Sequence, residues 1–291
     1  MTAEALQAPT PPKRRRRRFK LGTVGLNALL TALALLYIYP FLISVANSFK
    51  PDAEAVQSPL SLIPQTFTTA AYERLFFNSD FPLWFRNSVI ITVTVTLGRV
   101  FVVSLAGYAL ARLPFRGRGV IFALVIGVMA VPGVVLLIPR FLAIRQFGMF
   151  DTWGGIIIPL LVDAAGVFIM KNFFESIPAA VEEAARIDGA GTFRIWWSVV
   201  LPMARPALIT IMILSFQGSW NELSHFIVAS HSPEFVNLTR GVAFLTAGAL
   251  GQGSQFPLNL GAAVVMTIPV AVLFFIFSKR IMNTSGGAVK G

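Results

Sequence analysis

Hydrophobic residues run through this chain in long stretches that short polar segments separate. A membrane-spanning helix needs about 20 mostly apolar residues, because each residue rises only about 1.5 Å through the hydrocarbon layer. Six stretches come near or above that length: Leu21 to Val45, Val89 to Leu110, Val120 to Ile138, Trp153 to Phe174, Ala207 to Ala229 and Leu260 to Phe277. The pattern predicts an all-α, polytopic membrane protein with six transmembrane helices. The fourth stretch is the least regular, because Asp163 lies inside it and Lys171 near its end.

Composition also indicates a membrane protein. Hydrophobic residues make up 55% of the chain and charged residues only 13%, whereas soluble domains carry about 25% charged residues. We expect one transmembrane domain over residues 21–282, between a basic tail at residues 1–20 and a short tail at residues 283–291. The absence of cysteine excludes a disulfide framework and a thiolate metal site. His225 and His231 lie far from any matching ligands, so no metal site is expected.

The net charge of +11 and the basic run at residues 13–20 raise the question of nucleic-acid binding. The distribution of charge argues against it. If the N-terminus is cytoplasmic, the inner segments hold 17 of the 24 lysines and arginines; these segments are 1–20, 111–119, 171–206 and 278–291. This asymmetry follows the positive-inside rule and predicts that both termini are cytoplasmic. The partner of the basic tail is therefore expected to be anionic membrane lipid, with no nucleic acid involved.

A short charged segment interrupts the hydrophobic pattern at residues 181–191, V-E-E-A-A-R-I-D-G-A-G. Pro178 suits the first position of a helix, the following residues are strong helix formers, and Gly189 suits a left-handed C-cap. The predicted helix, at about residues 178–188, spans roughly 16 Å and is too short to cross a membrane.

Two faces of this predicted helix carry different chemistry. Glu182 and Arg186 are four residues apart, in the favourable order for an ion pair. Another face is shared by four residues, among them two alanines: Val181, Ala184, Ala185 and Asp188. Small side chains allow close approach to a partner, as in helix-in-groove recognition. From the pattern alone, a docking helix and a solvated helix folded back on its own bundle both remain open.

The stretch E-A-A-R-I-D-G-A-G-T-F-R-I-W-W-S-V-V-L-P, Glu183 to Pro202, resembles the signature of the membrane-spanning subunits of ATP-binding-cassette importers. That signature reads E-A-A, three residues, G, nine residues, a branched aliphatic residue, one residue, then L-P. The residues in register are Glu183, Ala184, Ala185, Gly189, Val199, Leu201 and Pro202. The usual isoleucine is Val199 here, which is a mild departure.

The resemblance implies a type I importer permease fold in which this segment is a coupling helix that docks into a cleft on a separate ATP-hydrolysing subunit. The C-terminal G-G-A-V-K-G is similar to the tail of the maltose-type second permease subunit, and that tail reaches along the ATPase. The residues expected to couple to the ATPase are Glu182, Glu183, Ala184, Ala185, Arg186, Asp188, Gly189, Pro202 and Lys290.

Within that family, Ile187 to Ala190 resembles the carbohydrate-importing branch. The resemblance implies a homologous permease partner, an ATPase dimer and an extracytoplasmic sugar-binding protein, in a bacterial or archaeal cytoplasmic membrane. None of the six lysines follows a glycine, so the chain lacks a P-loop. We therefore expect a di- or oligosaccharide permease subunit that is not an enzyme and binds no cofactor, with ATP and Mg²⁺ held by the partner ATPase. The alternative is a permease for another polar solute, such as glycerol phosphate. A stand-alone secondary transporter is less favoured, because the sequence shows neither an ion relay nor inverted repeats.

Several polar residues are predicted to lie within the membrane, where such groups often line a pathway or pair with one another. Four fall on one face of the predicted fifth span, at i, i+4, i+5 and i+8: Gln217, Asn221, Glu222 and His225. With Trp220 they form a candidate sugar-contacting or gating stripe. The other interpretation is that these polar side chains form hydrogen bonds between helices and hold the bundle together. Arg99 is predicted either to pair with Asp163 or to face the partner subunit.

Overall fold

The structure, a computed structural model, describes residues 21–248 and 255–287. The basic tail at residues 1–20 and Lys290 lie outside the described residues. Over the described part, every regular element is helical: α1 Leu21–Ser48, α2 Asp52–Gln57, α3 Ala70–Phe77, α4 Phe81–Arg112, α5 Arg118–Met129, α6 Leu137–Gln146, α7 Trp153–Ile157, α8 Ala164–Ser176, α9 Ala179–Ile187, α10 Thr192–Ile195, α11 Leu201–Met203, α12 Arg205–Trp220, α13 Ser224–Ala229, α14 Leu238–Gly248 and α15 Phe256–Gly287. The last helix extends past residue 282, where the sequence placed the start of the tail.

Three described helices are long and apolar enough to cross a membrane on their own: α1, α4 and α15. Three further spans are broken pairs: Arg118–Met129 with Gly133–Gln146, Trp153–Leu160 with Ala164–Ser176, and Thr192–Met203 with Arg205–Trp220. They bend by 107°, 42° and 83° respectively. If each pair is one span, the all-α, multi-pass prediction with six spans is confirmed.

Proline accounts for much of this bending, because it lacks the N–H that would continue a helix and restricts the residue before it. Pro132 stands at the break between α5 and the 3₁₀ turn Gly133–Leu136. Pro159 lies in the 3₁₀ turn Ile158–Leu160 that precedes α8. Pro202 follows a π-helical turn at Trp196–Val200, and such a turn accommodates the missing hydrogen bond before the sharp bend into α12.

The predicted fifth span, Ala207 to Ala229, is wrong in its second half. Helix α12 ends at Trp220 with Asn221 as its C-cap, and α13 starts separately at Ser224. The hydrophobic count did not detect this break because no proline marks it. Tertiary hydrogen bonds hold the backbone there, since the carbonyl of Glu222 accepts from Thr239 Oγ1 at 2.6 Å and from Asn237 Nδ2 at 3.2 Å.

Helix α4 is the centre of the bundle and packs against α8 and α12. Gly107 makes the contact with α8 possible, because a Cβ at this position would lie 2.6 Å from Met170 Cβ. Towards α12, Ser219 Oγ donates to Thr92 Oγ1 at 3.4 Å. The inner end of the bundle, defined as the end carrying residues 111–119 and 175–206, contains a buried core around Tyr108 and Trp196.

The opposite, outer end carries α2 and α3. Lys50 is buried there, and its ammonium donates to Asn47 Oδ1 at 3.1 Å, Ser58 O at 2.8 Å and Ser61 O at 2.7 Å. These three acceptors match the three donors of the ammonium, which offsets the cost of removing the charge from water. The outer segment is thereby fixed to the end of α1.

Candidate functional site

Helix α9 has the local structure that its sequence predicts, with small shifts at the ends. Pro178 precedes the helix as its N-cap, and Asp188 is the C-cap. Gly189 has φ +80°, which places it in the left-handed region. Its N–H donates to Arg186 O at 3.0 Å, and Ala190 N donates to Ala185 O at 3.0 Å. These two bonds form a Schellman motif, so glycine is needed at this turn.

One carboxylate of α9 points into the protein. Glu182 is only 4% exposed, and its Oε2 accepts from Tyr108 OH at 3.1 Å. Arg112 Nε lies 3.0 Å from its Oε1, in an ionic contact without hydrogen-bond alignment. Arg112 also donates through Nη2 to Phe174 O at 2.6 Å and to Ile177 O. This cluster, which we call the Arg112–Glu182 node, joins the inner ends of α4 and α8 to α9.

The predicted ion pair between Glu182 and Arg186 is present but is not the main contact. Arg186 Nη2 lies 3.9 Å from Glu182 Oε2, and the Arg186 side chain is 54% exposed. The buried partner is Arg112, which sequence reasoning missed. Because Arg112 ends a different helix 70 residues earlier in the chain, no local spacing rule could have identified it.

The outward face of α9 is small, acidic and apolar. Ala180, Glu183, Ala184 and Ile187 recur at helical spacing and are all exposed. Ile187 is 87% exposed at the end of the helix, although it is a large hydrophobic residue. The side chains of Arg186 and Asp188 are also outside, whereas Ala185 packs against the core of the bundle. Sequence reasoning included Glu183 and Ala184 of this face but missed Ala180 and Ile187.

The predicted polar stripe on the fifth span is wrong as a single helix face. Because α12 ends at Trp220, Asn221, Glu222 and His225 lie beyond it. Gln217 and Asn221 are exposed, but His225 is fully buried, with Nε2 2.9 Å from Ile156 O. These residues therefore have different surroundings and separate roles.

Trp220 has no free ring face to offer a sugar. It is 2% exposed, and its Nε1 donates to Met266 O at 3.1 Å. One side stacks on Phe216, with ring centroids 5.8 Å apart, and Phe85 meets it edge-on at 5.8 Å. Trp220 accordingly packs α4, α12 and α15 together.

Glu222 remains next to open space. Its Oε1 accepts from His225 N at 2.9 Å, in the first turn of α13. It also lines a cavity of about 260 Å³ between the start of the second half of the third span and the segment that joins α12 to α13. The lining residues are Gly133, Val134, Leu137, Arg140, Glu222 and Ser224. Of the predicted pathway residues, the cavity thus includes Glu222, and it adds Arg140 and Ser224, which sequence reasoning missed.

Of the two alternatives for Arg99, the direct pair with Asp163 is wrong. Within residues 21–248 and 255–287, Arg99 donates through Nε and Nη2 to Leu160 O, at 2.8 and 2.6 Å. Asp163 caps α8 by accepting from Gly166 N at 3.0 Å. Both charges therefore satisfy backbone groups that the bend in the fourth span leaves without helical partners.

Comparison with known proteins gives a consistent result. Residues 103–279 match the family described as "binding-protein-dependent transport system inner membrane component". The chain is 29% identical to the arabinooligosaccharides transport system permease protein AraQ of Bacillus subtilis, over 94% of this chain and 98% of that protein. It is 32% identical to the trehalose transport system permease protein SugB of Mycobacterium tuberculosis, over 91% and 96%. It is 31% identical to the diacetylchitobiose uptake system permease protein NgcG of Streptomyces coelicolor, over 89% and 85%.

A solved structure also matches over most of the chain. It is the crystal structure of a bacterial ABC transporter involved in the import of the acidic polysaccharide alginate. The TM-score is 0.78 at 28% sequence identity, and the match covers 89% of this chain and 96% of that chain.

Proposed function

The chain belongs to the family of binding-protein-dependent transport system inner membrane components, and we propose that it is the permease subunit of an ATP-driven importer of di- or oligosaccharides. Three relatives that match nearly the whole chain are permease proteins whose names specify arabinooligosaccharides, trehalose or diacetylchitobiose. Their agreement on carbohydrate supports the substrate class. The apolar spans and the positive-inside charge pattern support a place in the cytoplasmic membrane with both termini inside.

The observation that carries this proposal is the position of α9. The helix lies at the inner end of the bundle, and the face that points away from the bundle is exposed there. This face is formed by Ala180, Glu183, Ala184 and Ile187. An 87% exposed isoleucine beside small residues and a carboxylate fits a groove on another protein better than it fits water. We assign that groove to the ATP-hydrolysing subunit, which would hold ATP and Mg²⁺.

The Arg112–Glu182 node gives this contact a mechanical consequence. Glu182 and Arg112 connect α9 to the inner ends of α4 and α8, so a partner that displaces α9 also displaces those two spans. Because α4 packs against both α8 and α12, the displacement reaches the centre of the bundle. ATP binding and release would in this way bias the bundle between inward-open and outward-open arrangements.

The remaining partners follow from the same proposal. A homologous permease would complete the translocation pathway, and an extracytoplasmic sugar-binding protein would deliver the sugar to the outer end. Membrane lipid would cover exposed apolar helices such as α1, in which Leu35 and Leu36 are 62% and 67% exposed.

Affinity purification of the tagged chain from its native membrane tests the proposal. We expect an ATP-hydrolysing subunit and a second permease to co-purify with it. Recovery of the chain without any ATPase subunit, under mild detergent conditions that preserve other membrane complexes, would overturn the proposed function.

A further inference from the structure

The cavity beside Glu222 lies between the 107° bend of the third span and the break that separates α12 from α13. Gly133 and Val134 come from the 3₁₀ turn after the 107° bend, and α6 continues from that turn. Glu222 and Ser224 come from the interruption between α12 and α13. Helix breaks in membrane proteins are tolerated where they line a cavity or are buried in protein. Two breaks that meet at one cavity therefore indicate a place built for a polar occupant.

The two charges on the cavity wall are not paired. Arg140 and Glu222 both line it, yet neither belongs to any ion pair among the residues that the structure describes. Glu222 uses Oε1 to accept from His225 N, and its other oxygen has no hydrogen-bond partner in that same part of the chain. Both side chains are partly exposed, so each can bond to a polar molecule that enters the cavity.

The composition of the wall indicates what kind of molecule fits. Arg140 donates hydrogen bonds, the Glu222 carboxylate accepts them, and the Ser224 hydroxyl does both. Val134 and Leu137 add an apolar side to the same cavity. A sugar ring has the complementary pattern, with hydroxyl groups at its edge and C–H groups on its faces.

The charge and the volume of the cavity indicate which class of polar molecule it can hold. The cavity wall carries one positive side chain, Arg140, and one negative side chain, Glu222. This balance gives no net attraction for an anion such as a sugar acid or a phosphate ester. At about 260 Å³ the cavity is also smaller than pockets for drug-sized ligands, which start at about 300 Å³, so it suits a single ring.

We propose that this cavity is a transport subsite that holds one neutral sugar ring, with Arg140, Glu222 and Ser224 bonding to its hydroxyl groups. The inference rests on the proposed function, because it takes the transported solute to be a carbohydrate. It assigns direct substrate contact to this subunit and places that contact away from α9.

Because the chain has no cysteine, the cavity can be probed with a single introduced thiol. The Ser224→Cys variant is assembled with its partner subunits and binding protein and is allowed to hydrolyse ATP. A small water-soluble methanethiosulfonate reagent is then added, and labelling of this chain is followed by mass spectrometry. The sugars tested are trehalose, maltose and arabinotriose. We expect rapid labelling of Ser224→Cys, and the labelling rate should fall at least fivefold when a sugar that the wild type transports is added. The control is Glu234→Cys, at an exposed outer position, whose labelling should not change.

Uptake measurements provide the second arm. Arg140→Gln and Glu222→Gln should each lower sugar transported per ATP hydrolysed at least tenfold, the effect expected for losing a hydrogen bond to a charged group. The matched controls are Arg145→Gln and Glu234→Gln, which should behave as wild type. Arg145 lies on the same helix, but its guanidinium stands 4.0 Å over the Phe150 ring.

The outcomes separate this inference from the proposed function. If the wild type transports a sugar but neither the labelling nor the uptake of the cavity variants responds, the subsite is overturned and the importer stands. Protection by glycerol 3-phosphate instead of sugars would also overturn the subsite as a neutral-sugar site. If the wild-type complex transports no di- or oligosaccharide, the proposed function fails. An unlabelled Ser224→Cys would then independently show that the cavity is closed to polar molecules.

Discussion

Replacing Glu182 by glutamine tests how the structure fixes α9 to the bundle. The substitution keeps the size of the side chain and its contact with Tyr108, but removes the charge that faces Arg112 at 3.0 Å. The two side chains are only 5% and 15% exposed, so the pair counts as largely buried. Removing one member of such a pair costs about 3 to 5 kcal/mol, because the other charge is left without its partner.

The lower end of that range applies here, because Arg112 keeps its hydrogen bonds to Phe174 O and Ile177 O. A loss of about 3 kcal/mol corresponds to about two orders of magnitude in the equilibrium between docked and undocked α9. Amide hydrogen exchange over Ala179–Ile187 measures this equilibrium directly, since local opening exposes those amides. We expect exchange in Glu182→Gln to be about 100-fold faster there, and transport to lose its coupling to ATP hydrolysis.

Glu183 provides the matched control, because it is the adjacent carboxylate on the exposed face of the same helix. Glu183→Gln should leave exchange unchanged and instead weaken binding of the ATPase subunit. The double variant Arg112→Gln with Glu182→Gln should cost less than the sum of the single changes, since no unpaired buried charge remains. Wild-type exchange in Glu182→Gln would refute the node as the element that holds α9.

Three further predictions concern other parts of the chain. Gly189→Asp, which forces a side chain into the left-handed turn after α9, should abolish uptake and loosen the ATPase while membrane insertion stays intact. Gly107→Ala should destabilise the bundle by about 1 to 3 kcal/mol through overpacking against Met170, measured as a lower melting temperature. Hydrogen bonds from the side chain and backbone of Ser232 lower the pKa of Asp151 below its ordinary value. The ionised carboxylate therefore stabilises the fold above the pKa that Asp151 has in the unfolded chain, and this stabilisation is lost as the pH falls through the lower pKa of the folded state. Asp151→Asn should therefore flatten the acid side of a melting-temperature profile.

Each of these predictions has its own control. Gly119→Ala introduces the same methyl group into α5, where nothing lies within 4 Å, and should melt as wild type does. If Gly107→Ala is equally harmless, the close approach of α4 and α8 is not required. Full uptake by Gly189→Asp would show that α9 is only a solvated loop. An acid profile of Asp151→Asn that overlays the wild type would show that these hydrogen bonds do not contribute to stability.

Features that depend on neighbours in the sequence could be predicted. The start and end of α9 follow from Pro178, a run of helix formers and Gly189, and the structure differs by only one residue at each end. The spans likewise follow from counting apolar residues, since crossing a membrane is a requirement on length. The fold class therefore needed no information from distant parts of the chain.

Features that depend on long-range contacts could not be predicted. The partner of Glu182 stands at the end of another helix, and Arg99 bonds to a carbonyl that is free only because the fourth span bends. The break after Trp220 depends on side chains from residues 237 and 239. The cavity could not be foreseen for the same reason, because Glu222 and Ser224 reach its wall only through that break.

The central claim is that the exposed face of α9 docks on an ATP-hydrolysing subunit, and a cross-link from Ile187 tests it most directly. In this cysteine-free chain, Ile187→Cys can carry a short photoactivated thiol cross-linker, with Glu234→Cys at the outer end as control. Illumination of native membranes should join Ile187→Cys, but not Glu234→Cys, to the ATPase subunit, and added ATP should change the yield. Cross-links from Ile187→Cys to lipid alone, in membranes where uptake is intact, would contradict the account.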